Sequence, residues 1–323
     1  YRFAACDAAG WPVTVPATDD AVPNFAYFVN DGVPAWMGAI HPASTDARLR
    51  APVLFDTNVM RRVQSYHLIA KADTVEKVTW KEQAGGSEYK YTGTLVADGV
   101  VYDHVRMRAR GGVWRYAMGK NMWKFDFPKG QRLRARDDYG RPYPVPWGKL
   151  NLRACIQQGD YGHRGEQGLF ESVGFRLFNL AGVPAPFTHW LQFRIVTDAE
   201  EASADQYRGD FWGLYLAIEE ADGRFLDTHA LSDGNVYKME GGTGTLGHHG
   251  VGAVTNRADL DAFLGAYQGG ARTESWWREH LSLPAYYAYR AILESMHHYD
   301  IADGKNCFYY LAPPGHRWGV IPW

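Results

Sequence analysis

The sequence predicts an α+β protein, with a β-rich first part followed by a mixed part in which helices and strands alternate. Three observations carry this. Between residues 61 and 127, short runs rich in β-branched and aromatic residues alternate with Gly and Asp turns. From 166 onward, apolar residues recur at helical spacing, bounded by stop signals. Between the two lies the polar stretch PKGQRLRARDDYGRPYPVP, whose composition shift places a boundary near 130 to 150. The expected division is an extended leader at 1–50, a β-rich part at 51–145 and a mixed part at 146–323.

Composition narrows the function classes. The 323 residues are 46% hydrophobic and 22% charged, an ordinary globular mixture. Lys plus Arg number 34 against 36 Asp plus Glu, so no overall positive field draws the chain to nucleic acid or an anionic membrane. No apolar run is long enough to span a bilayer, and YRFAACDAAG lacks the basic start and apolar stretch of a signal peptide. Cys6, Cys155 and Cys307 lie far apart, which argues against a disulfide scaffold or a cysteine zinc cluster.

The leader WPVTVPATDDAVPNFAYFVNDGVP holds too many prolines and turn residues for a long helix. QSYHLIAKA, EKVTWKE, YKYTGTLVA and YDHVRMRA then read as strands of an antiparallel sheet, with NMWKFDF as another strand at its end. In GEQGLFESVGFRLFNLAGVP, Leu169, Val173, Leu177 and Ala181 fall on one helical face, and Gly182 with Pro184 supplies the stop. Strands THWLQFRIVT and FWGLYLAIEE flank the polar EASADQYRGD. The glycine-rich GGTGTLGHHG at 241–250 reads as a flexible loop, since it lacks the pattern of a phosphate-binding P-loop. Helices ADLDAFLGAYQ and PAYYAYRAILESMHH follow. CFYYLA and HRWGVIP close the chain as two strands joined through Pro313, Pro314 and Gly315.

The last turn carries the chemistry. Asp300 stands where the preceding helix should end, and Gly304, Lys305 and Asn306 extend the turn into a strand. Taken alone this is first a solvated capping turn. The same order can also hold an Asp near an attacking hydroxyl and an Asn near a metal in phosphoryl transfer. Arg106, Arg108 and Arg110 alternate along a predicted strand and therefore share a face that suits an anion. Lys120 and Lys124 follow, either of which could reach phosphate, with Glu171 on the first long helix as the orienting acid. The adjacent pairs His248-His249 and His297-His298 do not by themselves specify a metal geometry, and read as loop histidines. The 12 Trp and 20 Tyr residues could serve as carbohydrate platforms, but many recur within strand and helix patterns and belong to the core.

Taken in order, RMRARGG, GKNMWKFDF, NLRACIQQGDYGHRGEQGLFESVGFRLFNLAGVPAP, GLYLAIEEADGRFL, GNVYKME and YDIADGKNCFYY with WGVIPW resemble the spore-coat CotH kinase family, over about residues 60 to 323. The resemblance implies an atypical protein-kinase-like, two-lobed fold that uses ATP with Mg²⁺ or Mn²⁺ to phosphorylate Ser/Thr hydroxyls of a protein. It implies Lys120 or Lys124 at the phosphates, supported by Arg110 and organised by Glu171. Glu219 becomes a structural or nucleotide-side residue, Asp300 the group that orients the acceptor hydroxyl, and Asn306 a metal ligand. It also implies an acidic D-x-D element directly after the Pro-Trp pair, whereas the sequence stops at Trp323. The expectation is therefore a kinase wherever the native chain supplies that acidic segment. The alternatives are an inactive kinase-like assembly or binding module and a carbohydrate-associated domain. A secreted, cell-surface or spore-associated place is what the resemblance suggests.

Overall fold

The computed structural model describes residues 3–6, 8–10, 12–15, 29, 32–39, 45–80, 91–111, 120–155, 166–198, 209–298, 304–311 and 317–323. The chain gathers into two compact units. One takes the described residues through Leu133 together with Trp190–Tyr215; the other takes Arg134–Cys155, the stretch up to His189, and everything from Leu216 onward. No helix among the described residues is long and apolar enough to cross a membrane.

In the first unit, the segment expected as an extended leader contains paired strands. β1 (Phe3–Cys6) pairs antiparallel with β2 (Pro12–Val15), and β3 (Trp36–Ala39) with β4 (Pro52–Phe55). Two single-turn helices, α1 (Ala47–Arg50) and α2 (Thr57–Met60), flank β4, and each is capped by an Asp side chain that accepts from backbone N–H groups. β5 (Gln64–Ile69), β6 (Tyr91–Ala97), β7 (Val100–Arg110) and β8 (Met122–Asp126) form an antiparallel succession. Their inward side chains, among them Tyr66, Leu68, Leu95, Val105, Met107, Trp123 and Phe125, are buried. Phe193, on β10 (Thr188–Val196), packs against both Trp123 and Phe125. Residues Leu191–Val196 of that strand run parallel to β5.

One strand expectation is overturned. Residues 76–80 of EKVTWKE do not form a strand, because α3 covers Ala72–Trp80. Val75, Val78 and Thr79 are buried, at the i, i+3, i+4 spacing of a helical face. Lys77 reaches back to Asp73 at 3.1 Å. β-branched residues on the buried face of a short helix have the composition of a strand, and only their spacing distinguishes the two.

In the second unit, β9 (Lys149–Arg153) pairs antiparallel with residues Leu216–Glu219 of β11 (Phe211–Glu219). α4 (Glu166–Leu180) lies where the helical spacing placed it, but with the opposite face inward. Leu169, Val173 and Leu177 are exposed, while Phe175 and Phe178 are buried. Gly174 and Phe178 decide this. A Cβ on Gly174 would sit 3.3 Å from Met296 Sδ, and the Phe178 ring stacks on Tyr289 of α8 (Leu283–Ser295) with centroids 5.6 Å apart. Larger aromatic surface and a close backbone approach outweigh a stripe of leucine and valine.

The glycine-rich 241–250 segment is also not a loop. β12 (Asn235–Glu240) and β13 (Thr243–His248) form a hairpin, with Gly241 at φ +60° and Gly242 at φ +73° in the two-residue turn. Two consecutive positive φ values are what a two-residue hairpin turn twisted to match its strands requires, and glycine adopts them without strain. The sheet continues through β14 (Cys307–Leu311) and β15 (Gly319–Pro322), in the order β13-β12-β14-β15. Two more helices, α5 (Gly223–Thr228) and α6 (Ala258–Gln268), precede α7 (Glu274–His280) and α8. Phe263 of α6 stacks on both Trp276 and Trp318, with centroids 5.9 and 5.1 Å away, so these aromatics serve the core. The fold is thus α+β and β-rich.

Candidate functional site

The period of two along β7 sorts its side chains. Val105, Met107 and Ala109 are buried, while Arg106, Arg108 and Arg110 lie on the opposite, more accessible face. The register with β8 extends that face: Arg106 pairs with Asp126, Arg108 with Lys124, and Arg110 with Met122. The Arg106 guanidinium lies 3.6 Å from the Asp126 carboxylate. Arg108 and Lys124 stand at directly paired positions, so this face carries cations from both strands. Lys120 is held differently. Its ammonium donates to the Leu214 carbonyl at 2.5 Å and stands 4.0 Å from the centroid of the Tyr215 ring. Gly213, at φ +107°, leaves the room this lysine occupies: a Cβ there would come within 3.3 Å of Nζ.

In the second unit, Glu171 projects from α4 toward Arg153 of β9, carboxylate to guanidinium at 3.1 Å. The sequence did not single out Arg153 as this partner, and the polar–apolar alternation of KLNLR is the signal that could have placed it on a face. Glu219, at the end of β11, is 1% exposed. Its Oε2 accepts from the Phe187 backbone N–H at 3.1 Å and lies 3.1 Å from His229 Nε2. Burial raises the carboxyl above its ordinary range, and the histidine beside it pulls the other way. The imidazole is itself packed between neighbours, stacked on Phe187 and tilted against Phe225, with centroids 4.7 and 4.1 Å away. Glu219 thus links the end of β11 to His229, the residue that follows α5. The neighbouring Glu220 accepts from Asn151 Nδ2 at 2.6 Å.

The closing turn is organised by the sheet. α8 ends at Ser295, and β14 starts at Cys307 immediately after Asn306, whose φ is +56°. Cys307 pairs with Pro322 across β14 and β15, and the Trp323 N–H donates to the Asn306 carbonyl at 3.2 Å. The backbone of Trp323 thus lies beside Asn306 at one end of the sheet. Asp300 falls outside the described residues. Among the described residues, no three His, Cys, Asp or Glu side chains converge into a metal-binding group. Of the histidine pairs, His248 is bound to Asp233, Nε2 to Oδ1 at 2.8 Å, and His249 lies 3.0 Å from the Ala253 carbonyl.

The described residues suit the two expected groups unequally. The β7–β8 face offers the cationic chemistry a polyphosphate requires, whereas Asn306 supplies a single neutral oxygen donor for a divalent cation. The family model described as CotH kinase protein matches residues 107–323. A comparison with curated proteins finds no significant match.

Proposed function

Because the chain belongs to the CotH kinase family, we propose that it transfers the γ-phosphoryl group of ATP, with Mg²⁺ or Mn²⁺, to Ser or Thr hydroxyls of a protein. The two-lobed, kinase-like arrangement belongs to the same reading. The observation that carries it is the closing sheet. Asn306 and Trp323 lie side by side, so the position where the family places its acidic element starts next to the proposed metal ligand.

Lys124 and Arg110 would hold phosphate oxygens by charge-assisted hydrogen bonds, with Lys124 favoured over Lys120 because it shares the arginine face. Glu171, paired with Arg153, would be the organising acid, and Glu219 would act through packing. Asp300 would accept a hydrogen bond from the acceptor hydroxyl, align its oxygen opposite the departing ADP, and receive its proton as the oxygen–phosphorus bond forms. Asn306 would hold the divalent cation, which when bound supplies the neutralisation of phosphate charge.

The test is calorimetric titration of ATP with Mg²⁺ or Mn²⁺, using the protein with any native residues beyond Trp323, followed by phosphate transfer to a protein acceptor. Metal-dependent ATP binding is expected. Asp300→Asn should retain that binding and lose about 10²-fold or more in transfer. Normal turnover in the variant removes Asp300 from the assignment. A folded protein that does not bind ATP overturns the kinase reading in favour of a kinase-like binding module.

A further inference from the structure

We propose that the outer face of α4 is a dimer interface, on which a second copy of this chain docks about a two-fold axis at Val173. Five of the seventeen exposed large hydrophobic side chains among the described residues stand on this one helix: Leu169, Phe170, Val173, Leu177 and Leu180, each between 40% and 68% exposed. Leu169, Val173 and Leu177 follow one another at a spacing of four and form a ridge. Phe170 flanks it on one side and the exposed Arg176 on the other, with Leu180 at its end. The inner face is apolar as well, since Phe175 and Phe178 are buried and Phe178 stacks on Tyr289. A surface helix ordinarily turns charged residues to water, whereas one that is apolar on both faces belongs in an interior.

The stripe is complementary to itself, which identifies the occupant as a second copy. Leu169 and Leu177 lie four residues to either side of Val173, and Phe170 and Arg176 lie three. With two α4 helices running oppositely about a two-fold axis through Val173, Leu169 meets Leu177 of the other copy and Val173 meets itself. Arg176 then meets Phe170 of the other copy, a cation against an aromatic face. A ridge spaced by four packs into the groove of an identical helix in the commonest class of helix crossing. A bilayer suits this helix less well, because interfacial helices keep a face rich in Lys and Arg toward water. The side of α4 away from the stripe instead holds Phe178 against Tyr289 and Gly174 against Met296. The stripe runs about 16 Å along the helix, less than a standard interface spans, so the dimer is weak, with a Kd of about 10–100 µM. None of this depends on the phosphoryl-transfer reading.

The experiment is sedimentation velocity of the wild type from about 1 to 300 µM, where a reversible monomer–dimer equilibrium is expected. Val173→Asp sets two carboxylates against each other on the axis and should raise Kd at least about tenfold. Tyr287→Ala removes a ring of similar exposure from α8 and should leave Kd within about twofold. Cross-linking provides a second route if Val173→Asp does not fold. In a Cys6→Ser background, which removes the exposed native thiol, Val173→Cys should form a disulfide with its own copy under mild oxidation. Leu180→Cys, about 20 Å from its counterpart across the axis, should not. A wild type that stays monomeric throughout overturns the proposal, and one that is monomeric yet adsorbs to phosphatidylglycerol vesicles through Phe170 assigns the stripe to a membrane instead. A dimer indifferent to Val173→Asp, or weakened equally by Tyr287→Ala, also overturns it, as does a Leu180→Cys variant that links as readily as Val173→Cys.

Discussion

Lys120 lies two residues before β8 and Lys124 within it, yet their surroundings give them different tasks. Lys124 is paired in register with Arg108 on the cationic face, whereas Lys120 donates to the Leu214 carbonyl and covers the Tyr215 ring. Lys120 sits against a carbonyl and a ring face, whereas Lys124 adds its charge to a row of arginines, which suits an anion. Lys124→Ala is therefore expected to weaken ATP binding about tenfold, and Lys120→Ala to change it by less than about threefold. Isothermal titration of both variants with ATP and Mg²⁺ checks this, and the reverse order would transfer the phosphate contact to Lys120. The sequence identified both lysines as candidates. It could not rank them, because Lys120 meets its partners 94 residues away.

At the scale of elements, α4 shows how a correct helix can be assigned the wrong inner face. Leu169, Val173 and Leu177 form a continuous stripe in sequence, but the helix buries Phe175 and Phe178 and presses Gly174 against Met296. Phe178→Ala should destabilise the protein by about 3–5 kcal/mol, since it removes a ring stacked on Tyr289 and leaves a cavity. Leu177→Gln, on the exposed side, should cost no more than about 0.5 kcal/mol. Chemical denaturation of the two variants decides between the faces, and a larger loss for Leu177→Gln would restore the face read from spacing. The β12–β13 hairpin teaches the same lesson: glycine density signals permissive backbone, which a tight turn between two strands uses as readily as a loop does.

For the whole molecule, buried His189 links stability to pH. His189 is fully buried against the Tyr143 and Trp147 rings, with centroids 5.9 and 5.6 Å away, and burial lowers its pKa from 6.5 to about 3 while the Asp137 charge opposes the shift. The folded value lies below the unfolded one, so the unfolded chain takes up this proton first as pH falls. The contribution of His189 to stability is present above about pH 6.5 and is lost as pH falls toward about 3. His189→Phe should flatten the decline across that window in pH-dependent urea unfolding. An unchanged slope would show that other groups govern it.

Much of the architecture was determined by the sequence itself. The strands around 64–69, 91–97, 100–110 and 122–126, the helices at 258–268 and 283–295, and the alternation of Arg106, Arg108 and Arg110 follow from periods that each segment carries alone. The ordered motifs, read together, identified the family. Only the tertiary structure decided which face of α4 is buried, that residues 72–80 are helical, that Glu219 is sealed against His229, and that Gly242 touches Gly304. The physical reason is range. Periodicity and turn chemistry act between neighbours in the chain, whereas partner choice, burial and close backbone approach are settled by groups far apart in sequence that meet only once the chain has folded.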